Sequence, residues 1–146
     1  MKRISILLMS FAVLALSSCS SMKKISNSDS AASVMGQNCA VATNSLYKTY
    51  KSNGKIDLTS ANNVTNIVTV ATAYKQLKAN SSNASYRKAF TSGAVAAGTG
   101  IITANNADRF TNALLNCTGL NGVTAQNIQQ KAETAVTIVT LFNALK

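Results

Sequence analysis

Apolar residues recur at steps of three and four along most of the chain, the spacing that places them on one face of an α-helix. Five such stripes follow one another after residue 33, separated by short segments rich in Asn, Ser and Gly. The first stripe predicts a helix from an N-cap at Ser30 or Ser33 to a stop at Asn53-Gly54, and the second a helix capped by Thr59. The pattern therefore predicts an all-α fold, a small bundle of about four to five helices.

The three later stripes predict shorter helices. Ser85 is the expected cap of the third helix. The fourth stripe runs from a cap at Asn105, Asn106 or Asp108 to Cys117, and Thr124 is the expected cap of the last helix. These segments complete one helical domain over residues 34–146.

A glycine cluster follows the third stripe, with glycines at 93, 98 and 100. It lacks the Gly-Lys-Ser/Thr ending of a phosphate-binding loop, and no convincing strand precedes it. We therefore expect the small residues to let two helix backbones approach closely, and Gly98 or Gly100 to break or kink the helix.

Two segments of the chain match each other without gaps, Val68–Lys78 and Val136–Lys146. The same shift along the chain places Asn53-Gly54 on Asn121-Gly122. We interpret this as a duplicated helical hairpin with a pseudo-two-fold arrangement. The alternative is that two amphipathic helices of similar composition converged on similar residues.

The N-terminal segment has the layout of an export signal. Lys2 and Arg3 precede an apolar run, Ile4–Leu16, that leads through two serines to Cys19. At about 13 residues the run is too short for an ordinary transmembrane helix, which needs roughly 20. Leu16-Ser17-Ser18-Cys19 resembles the lipobox of bacterial lipoproteins. The alternative is an ordinary secretory signal with a coincidental cysteine.

That resemblance implies a division of the chain and a location. Residues 1–18 would be a signal peptide, cut before Cys19, whose thiol would carry a diacylglyceryl group and whose new N-terminus is usually acylated again, often with palmitate. Residues 19–33, rich in Ser and Asn, would be a lipidated flexible tether. Ser20 resembles the outer-membrane default of Gram-negative bacteria, so the domain is expected in the periplasm or at the cell surface. The mature domain resembles small lipoproteins of such bacteria, which implies no particular activity.

The chain is strongly basic, with 14 Lys and Arg against four Asp and Glu. Removal of residues 1–18 leaves 12 basic and four acidic residues, a formal net charge of +8. Nucleic acid is not the expected partner, because the signal sends the domain out of the cytoplasm and the basic residues are scattered. We expect either solubility alone or weak contact with anionic lipid or envelope polymers.

Two cysteines remain after the proposed anchor, Cys39 and Cys117. An even pair in an exported chain is best interpreted as one disulfide. It would close a loop of about 78 residues, which loop-closure entropy makes worth at most roughly 4.5 kcal/mol. No metal site is expected, because the chain has no histidine and two thiolates do not complete a zinc shell.

The remaining residues suggest no catalysis and no cofactor. A catalytic thiol would lack an imidazole base, and the acidic residues share no motif. We expect a non-catalytic envelope lipoprotein with a structural or protein-interaction role, held to the membrane by its lipid. The alternative is a binding module for a lipid or small apolar ligand, in which aromatic residues line a cavity between the helices, namely Tyr74, Phe90, Phe110 and Phe142.

Overall fold

The computed structural model describes residues 28–146, which form a small all-α bundle with no strand in that part of the chain. The predicted fold class is confirmed. The chain order is α1 (Asp29–Asn53), α2 (Ala61–Ala79), α3 (Ala84–Ala96), α4 (Ala107–Leu115) and α5 (Ala132–Asn143), with single 3₁₀ turns at Thr118–Leu120 and Ile128–Gln130.

Helix α1 begins earlier than predicted. Its N-cap is Ser28, whose hydroxyl accepts a hydrogen bond from the backbone N–H of Ala31 at 3.1 Å, and Asp29 places a carboxylate in the first turn. The tether predicted for residues 19–33 is therefore wrong at its C-terminal end, because residues 29–33 are helical and Ala32 is fully buried.

The end of α1 agrees with the prediction. Gly54 adopts the left-handed conformation with φ 71°, and its N–H donates to the carbonyl of Tyr50 at 2.8 Å. Because glycine enters that region without a Cβ penalty, it closes the helix and turns the chain into α2. Gly122, the matched glycine of the proposed repeat, has nearly the same φ of 74°.

Two predicted caps lie at neighbouring residues. The α2 cap is Ser60, because Thr59 is engaged by Asp57, whose carboxylate accepts hydrogen bonds from the Thr59 N–H and hydroxyl at 2.9 and 2.7 Å. The α3 cap is Asn83, whose side-chain oxygen accepts from the N–H of Tyr86. Ser85, the predicted cap, instead donates to the carboxylate of Asp29.

The second half of the chain is less helical than predicted. Helix α4 ends at Leu115, so Cys117 lies beyond it, and α5 begins at Ala132 rather than near Thr124. Asn127 explains the late start of α5: its amide accepts from the N–H of Thr124 and donates to the carbonyl of Gly122, which holds this segment as a loop. The duplicated hairpin stays a prediction, with a shared Asn-Gly turn but helices of unequal length.

The core is built on α1, α2 and α3, and the later elements contribute buried residues to the same cluster. α1 packs most extensively on α3, and Gly36 and Gly93 form the closest part of that contact. A Cβ on Gly93 would overlap the carbonyl oxygen of Ser33, and one on Gly36 would overlap that of Phe90. The predicted packing role of the glycine cluster is confirmed at Gly93. Gly98, with φ 66°, lies just past the end of α3.

Candidate functional site

The predicted site residues that the structure describes are Cys39 and Cys117. Cys19 lies outside the described residues. Cys39 lies within α1 and is fully buried, while Cys117 follows α4 and is 7% exposed. Both belong to the same core, and both are free thiols. The disulfide between them stays a prediction.

Each thiol is held in its neutral form by its surroundings. Burial is the main cause that raises the pKa of Cys39 to about 12; a side-chain hydrogen bond with Thr43 lowers this pKa, and the charge of Cys117 contributes to the rise to a lesser degree. Burial also raises the pKa of Cys117 to about 11, and its Sγ–H donates to the carbonyl of Ala113 at 3.2 Å. The reduced pair is chemically inert while the domain stays folded.

We expect the reduced protein to lose stability as the pH rises above about 9. The thiols ionise near their ordinary pKa in the unfolded chain but only at higher pH in the folded one. Raising the pH therefore deprotonates the unfolded state first, which favours unfolding. The stabilisation is complete below the unfolded pKa and is lost as the pH rises towards the folded values. Urea unfolding at about pH 8 and about pH 10 measures the effect.

The control for this pH dependence is the Cys39→Ala/Cys117→Ala variant, which differs from the wild type only in lacking the two thiols. A disulfide-bonded sample should behave like that variant. An equal alkaline loss in all three samples would contradict the assignment of the effect to the thiols.

The predicted aromatic lining is core rather than cavity. Phe90 and Phe110 are fully buried, and Tyr74 and Phe142 are 4% and 2% exposed. The Phe142 ring contacts those of Tyr47 and Tyr50, with centroids 5.4 and 5.7 Å apart. Phe142 therefore fills space between helices.

One apolar groove does open on the surface, next to the α1–α2 turn. It has a volume of about 300 Å³, and its walls include Tyr50 and Ile56 on one side and Val136 and Val139 of α5 on the other. Val136 is 67% exposed, the most exposed of the three large apolar side chains at the surface of the described residues.

Several basic side chains make local contacts, and two others line a groove. Lys75 donates to the carbonyl of Val123 at 3.0 Å, and Lys51 and Lys78 lie over tyrosine rings. Arg87 and Lys88 instead line a cavity of about 460 Å³ between α3 and α4, together with Asp108 and several polar residues.

The described residues offer neither a metal site nor a membrane-spanning helix. Among residues 28–146, no three His, Cys, Asp or Glu side chains come together in a way that could hold a metal ion. None of the helices described here has both the length and the apolar character needed to span a bilayer.

Sequence reasoning missed Thr134, which is fully buried with an unpaired hydroxyl, and the role of Asn106, whose amide ties a loop to the C-terminus. Both depend on where α4 and α5 begin. Comparison with known proteins finds no matching family model, no similar curated protein and no similar solved structure.

Proposed function

We propose that the chain is a bacterial lipoprotein, anchored through a diacylglyceryl group on Cys19, that holds a small helical domain at a membrane surface without catalysing a reaction. The observation that carries this proposal is the sequence Leu16–Cys19 at the end of a short apolar segment that begins after Lys2 and Arg3. Several acyl chains on one residue make release slow, because each buried methylene contributes about 0.8 kcal/mol. The outer membrane of a Gram-negative bacterium is the proposed location.

The geometry of the domain is compatible with a short connection to the lipid. Helix α1 begins at Asp29, so about ten residues separate it from Cys19, a span of at most about 35 Å. Ser85 at the start of α3 donates to the Asp29 carboxylate at 2.7 Å, which places the two helix starts side by side. Arg87 and Lys88 follow within the first turns of α3, at the end of the bundle where the anchored chain enters.

This placement supports weak contact with anionic headgroups. Cations within a Debye length of an anionic surface contribute about 1 kcal/mol each, whereas more distant charges are screened. These two side chains would orient the domain at the membrane surface, while the lipid anchor would provide most of the membrane affinity.

The exposed apolar side chains support an interaction role. Val34 and Val41 are 55% and 54% exposed and lie seven residues apart, on the same face of α1. The apolar groove at Val136 is a second such surface, and it is also the observation that favours the alternative function, binding of a small apolar ligand. A protein partner would protect these valines from solvent, whereas a small ligand would affect only the groove.

We propose in addition that Cys39 and Cys117 are oxidised to a disulfide after export. Their burial in one core supports the pairing. A dithiol oxidase or another disulfide of the envelope would accept the two electrons and two protons.

Metabolic labelling tests the anchor. Cells that express the chain receive an alkyne fatty acid, and the purified protein is analysed for label and for its N-terminal residue by mass spectrometry. We expect label on the wild type, a mature N-terminus at Cys19, and neither in a Cys19→Ala control. An unlabelled wild type, or a mature chain that begins at another residue, would refute the proposal.

Crosslinking in intact cells tests the interaction role. Photoreactive residues at positions 34 and 136 should each give a discrete protein adduct if a partner covers both surfaces. The exposed position 72 on α2 is the matched control. Adducts that are no more frequent at 34 and 136 than at 72 would count against a partner there.

A further inference from the structure

The chain has two Asn-Gly pairs, Asn53-Gly54 and Asn121-Gly122, at matched positions of the proposed repeat. Asparagine before glycine is chemically labile, because the glycine nitrogen can attack the side-chain amide carbon without hindrance from a Cβ. The attack requires a free glycine N–H and an asparagine side chain that can reach it. Because the two pairs have the same sequence, the fold decides which of them reacts.

Helix α1 protects the first pair. Asn53 is the last residue of the helix, and the N–H of Gly54 donates to the carbonyl of Tyr50 at 2.8 Å. The Gly54 nitrogen is therefore engaged, and the last turn of the helix must open before it can attack. The negative end of the helix dipole also opposes the negative charge that develops during the attack.

The second pair has no such protection. Asn121 follows a 3₁₀ turn with an extended backbone, and both residues of the pair are exposed. Within residues 28–146, neither the Gly122 N–H nor the Asn121 side chain has a hydrogen-bond partner. A backbone bond that spans the pair, from the Val123 N–H to the Leu120 carbonyl, is long at 3.3 Å. Rotation of this exposed loop can therefore bring the two reacting groups together.

Positive charge surrounds Asn121. Its side chain lines one surface cavity with Lys75 and Lys78, and a second cavity with Lys131. The Lys131 nitrogen lies 3.5 Å from the point where a Cβ on the next residue of the pair would stand. Of the described residues that line these two cavities, Glu133 alone is acidic. A negative charge formed at position 121 would therefore lie among three ammonium groups, which stabilise it.

We propose that Asn121 is a site of spontaneous deamidation and that the fold withholds Asn53 from the same reaction. The Gly122 nitrogen forms a bond to the Asn121 Cγ, and the amide nitrogen leaves as ammonia with the proton of the Gly122 N–H. Water then opens the succinimide ring and gives aspartate or isoaspartate. Each event replaces a neutral amide by a carboxylate among the lysines. The reaction needs neither the lipid anchor nor a partner at the apolar surfaces.

Peptide mass spectrometry compares both pairs in one sample. The purified full chain in mild detergent is kept in heavy-oxygen water at mildly alkaline pH and is then digested in ordinary water. Only deamidation of the intact protein thus carries the label. We expect Asn121 to react about tenfold faster than Asn53 or more, because at Asn53 a backbone hydrogen bond and a helical turn must open first. Equal rates, or a faster reaction at Asn53, would overturn the proposal.

The same chain unfolded in urea is the control for the flanking sequence. Without helix α1, the rates at Asn53 and Asn121 should differ by no more than about threefold. A preference for Asn121 that persisted in urea would mean that its sequence neighbours, and not the fold, select it, which would contradict the proposal. Asn121→Gln should abolish the label at position 121 and leave the rate at Asn53 unchanged.

The role of the lysines is tested with Asn121→Asp, which supplies the expected carboxylate. Its Tm should equal or exceed that of the wild type. Asn53→Asp is the matched control: it places a carboxylate at the negative end of α1 and should lower Tm by about 1–3 °C. If Asn121→Asp lowered Tm as much as Asn53→Asp, the lysines would not stabilise the product, and this part of the proposal would fail.

Discussion

Alanine at Gly93 is expected to destabilise the domain by about 3 kcal/mol or more, although alanine is the better helix former by about 1 kcal/mol. The added Cβ would overlap the carbonyl oxygen of Ser33 and lie 2.7 Å from its carbonyl carbon. Both are backbone atoms of α1, so no rotamer change can relieve the contact and the two helices must separate. Chemical denaturation of the purified protein measures the loss.

Gly36→Ala should have a comparable effect, because its Cβ would meet the backbone of Phe90 and Ala94 in the same contact. Gly98→Ala is the control: its Cβ has open space but its φ of 66° costs about 1–2 kcal/mol. If the Gly93 and Gly98 variants lost equal stability, close packing of α1 on α3 would not be what requires Gly93.

Asn106→Ala is expected to cost about 2–4 kcal/mol, the second-largest effect on stability. Asn106 is 8% exposed, and its amide makes three hydrogen bonds. It accepts from the N–H of Thr103 at 2.8 Å and donates to the carbonyls of Ile101 and Leu145 at 2.8 and 3.3 Å. Alanine would leave three backbone groups unpaired, two in the loop before α4 and one near the C-terminus. Urea unfolding provides the measurement.

Asn127 is a matched control from the same chain. It makes the first two of these bonds in the same relation to its own loop, with Thr124 and Gly122, but in an exposed setting and with no third bond. Water can replace the lost partners there, so Asn127→Ala should cost about 1 kcal/mol or less. If the two variants lost equal stability, burial would not be what makes the hydrogen bonds of Asn106 more important than those of Asn127.

Much of the first half of the fold can be predicted from the sequence, because local signals decide it. The apolar stripe through Leu46 fixes the buried face of α1, and Gly54 ends the helix through a conformation that glycine adopts most readily. The residues that fail as caps, Thr59 and Ser85, fail because carboxylates engage them: Asp57 two residues away, and Asp29 from another helix. Only the first of these contacts is local in sequence.

The second half of the fold is harder to predict from the sequence, because its apolar residues have helical spacing in segments whose backbone is not helical. Ile128 is fully buried and fits the stripe of α5, yet it lies in a 3₁₀ turn before that helix, where Asn127 is hydrogen-bonded back to Gly122. Periodicity reports which side chains are buried, and a short irregular segment can bury the same residues.

The candidate site residues also differ in whether the sequence alone identifies them. The pairing of Cys39 with Cys117 follows from counting cysteines in an exported chain, without any knowledge of the fold. Thr134 could not be identified so simply, because an unpaired hydroxyl is recognisable only once the first residue of α5 is known. A threonine in the first turn of a helix without a polar cap is the signal that would have pointed to it.

Helices α1 and α3 start side by side at Asp29 and Ser85, and they meet again farther along at Gly36 and Phe90, so they run in the same direction. Their macrodipoles therefore add at that end instead of cancelling as in an antiparallel pair. That pole of the molecule carries two positive helix ends, moderated by the Asp29 carboxylate and by the C-terminus of α2, which ends at Ala79 just before α3 begins. A charged surface would thus exert a torque on the domain, and dilute salt would align it more firmly than concentrated salt.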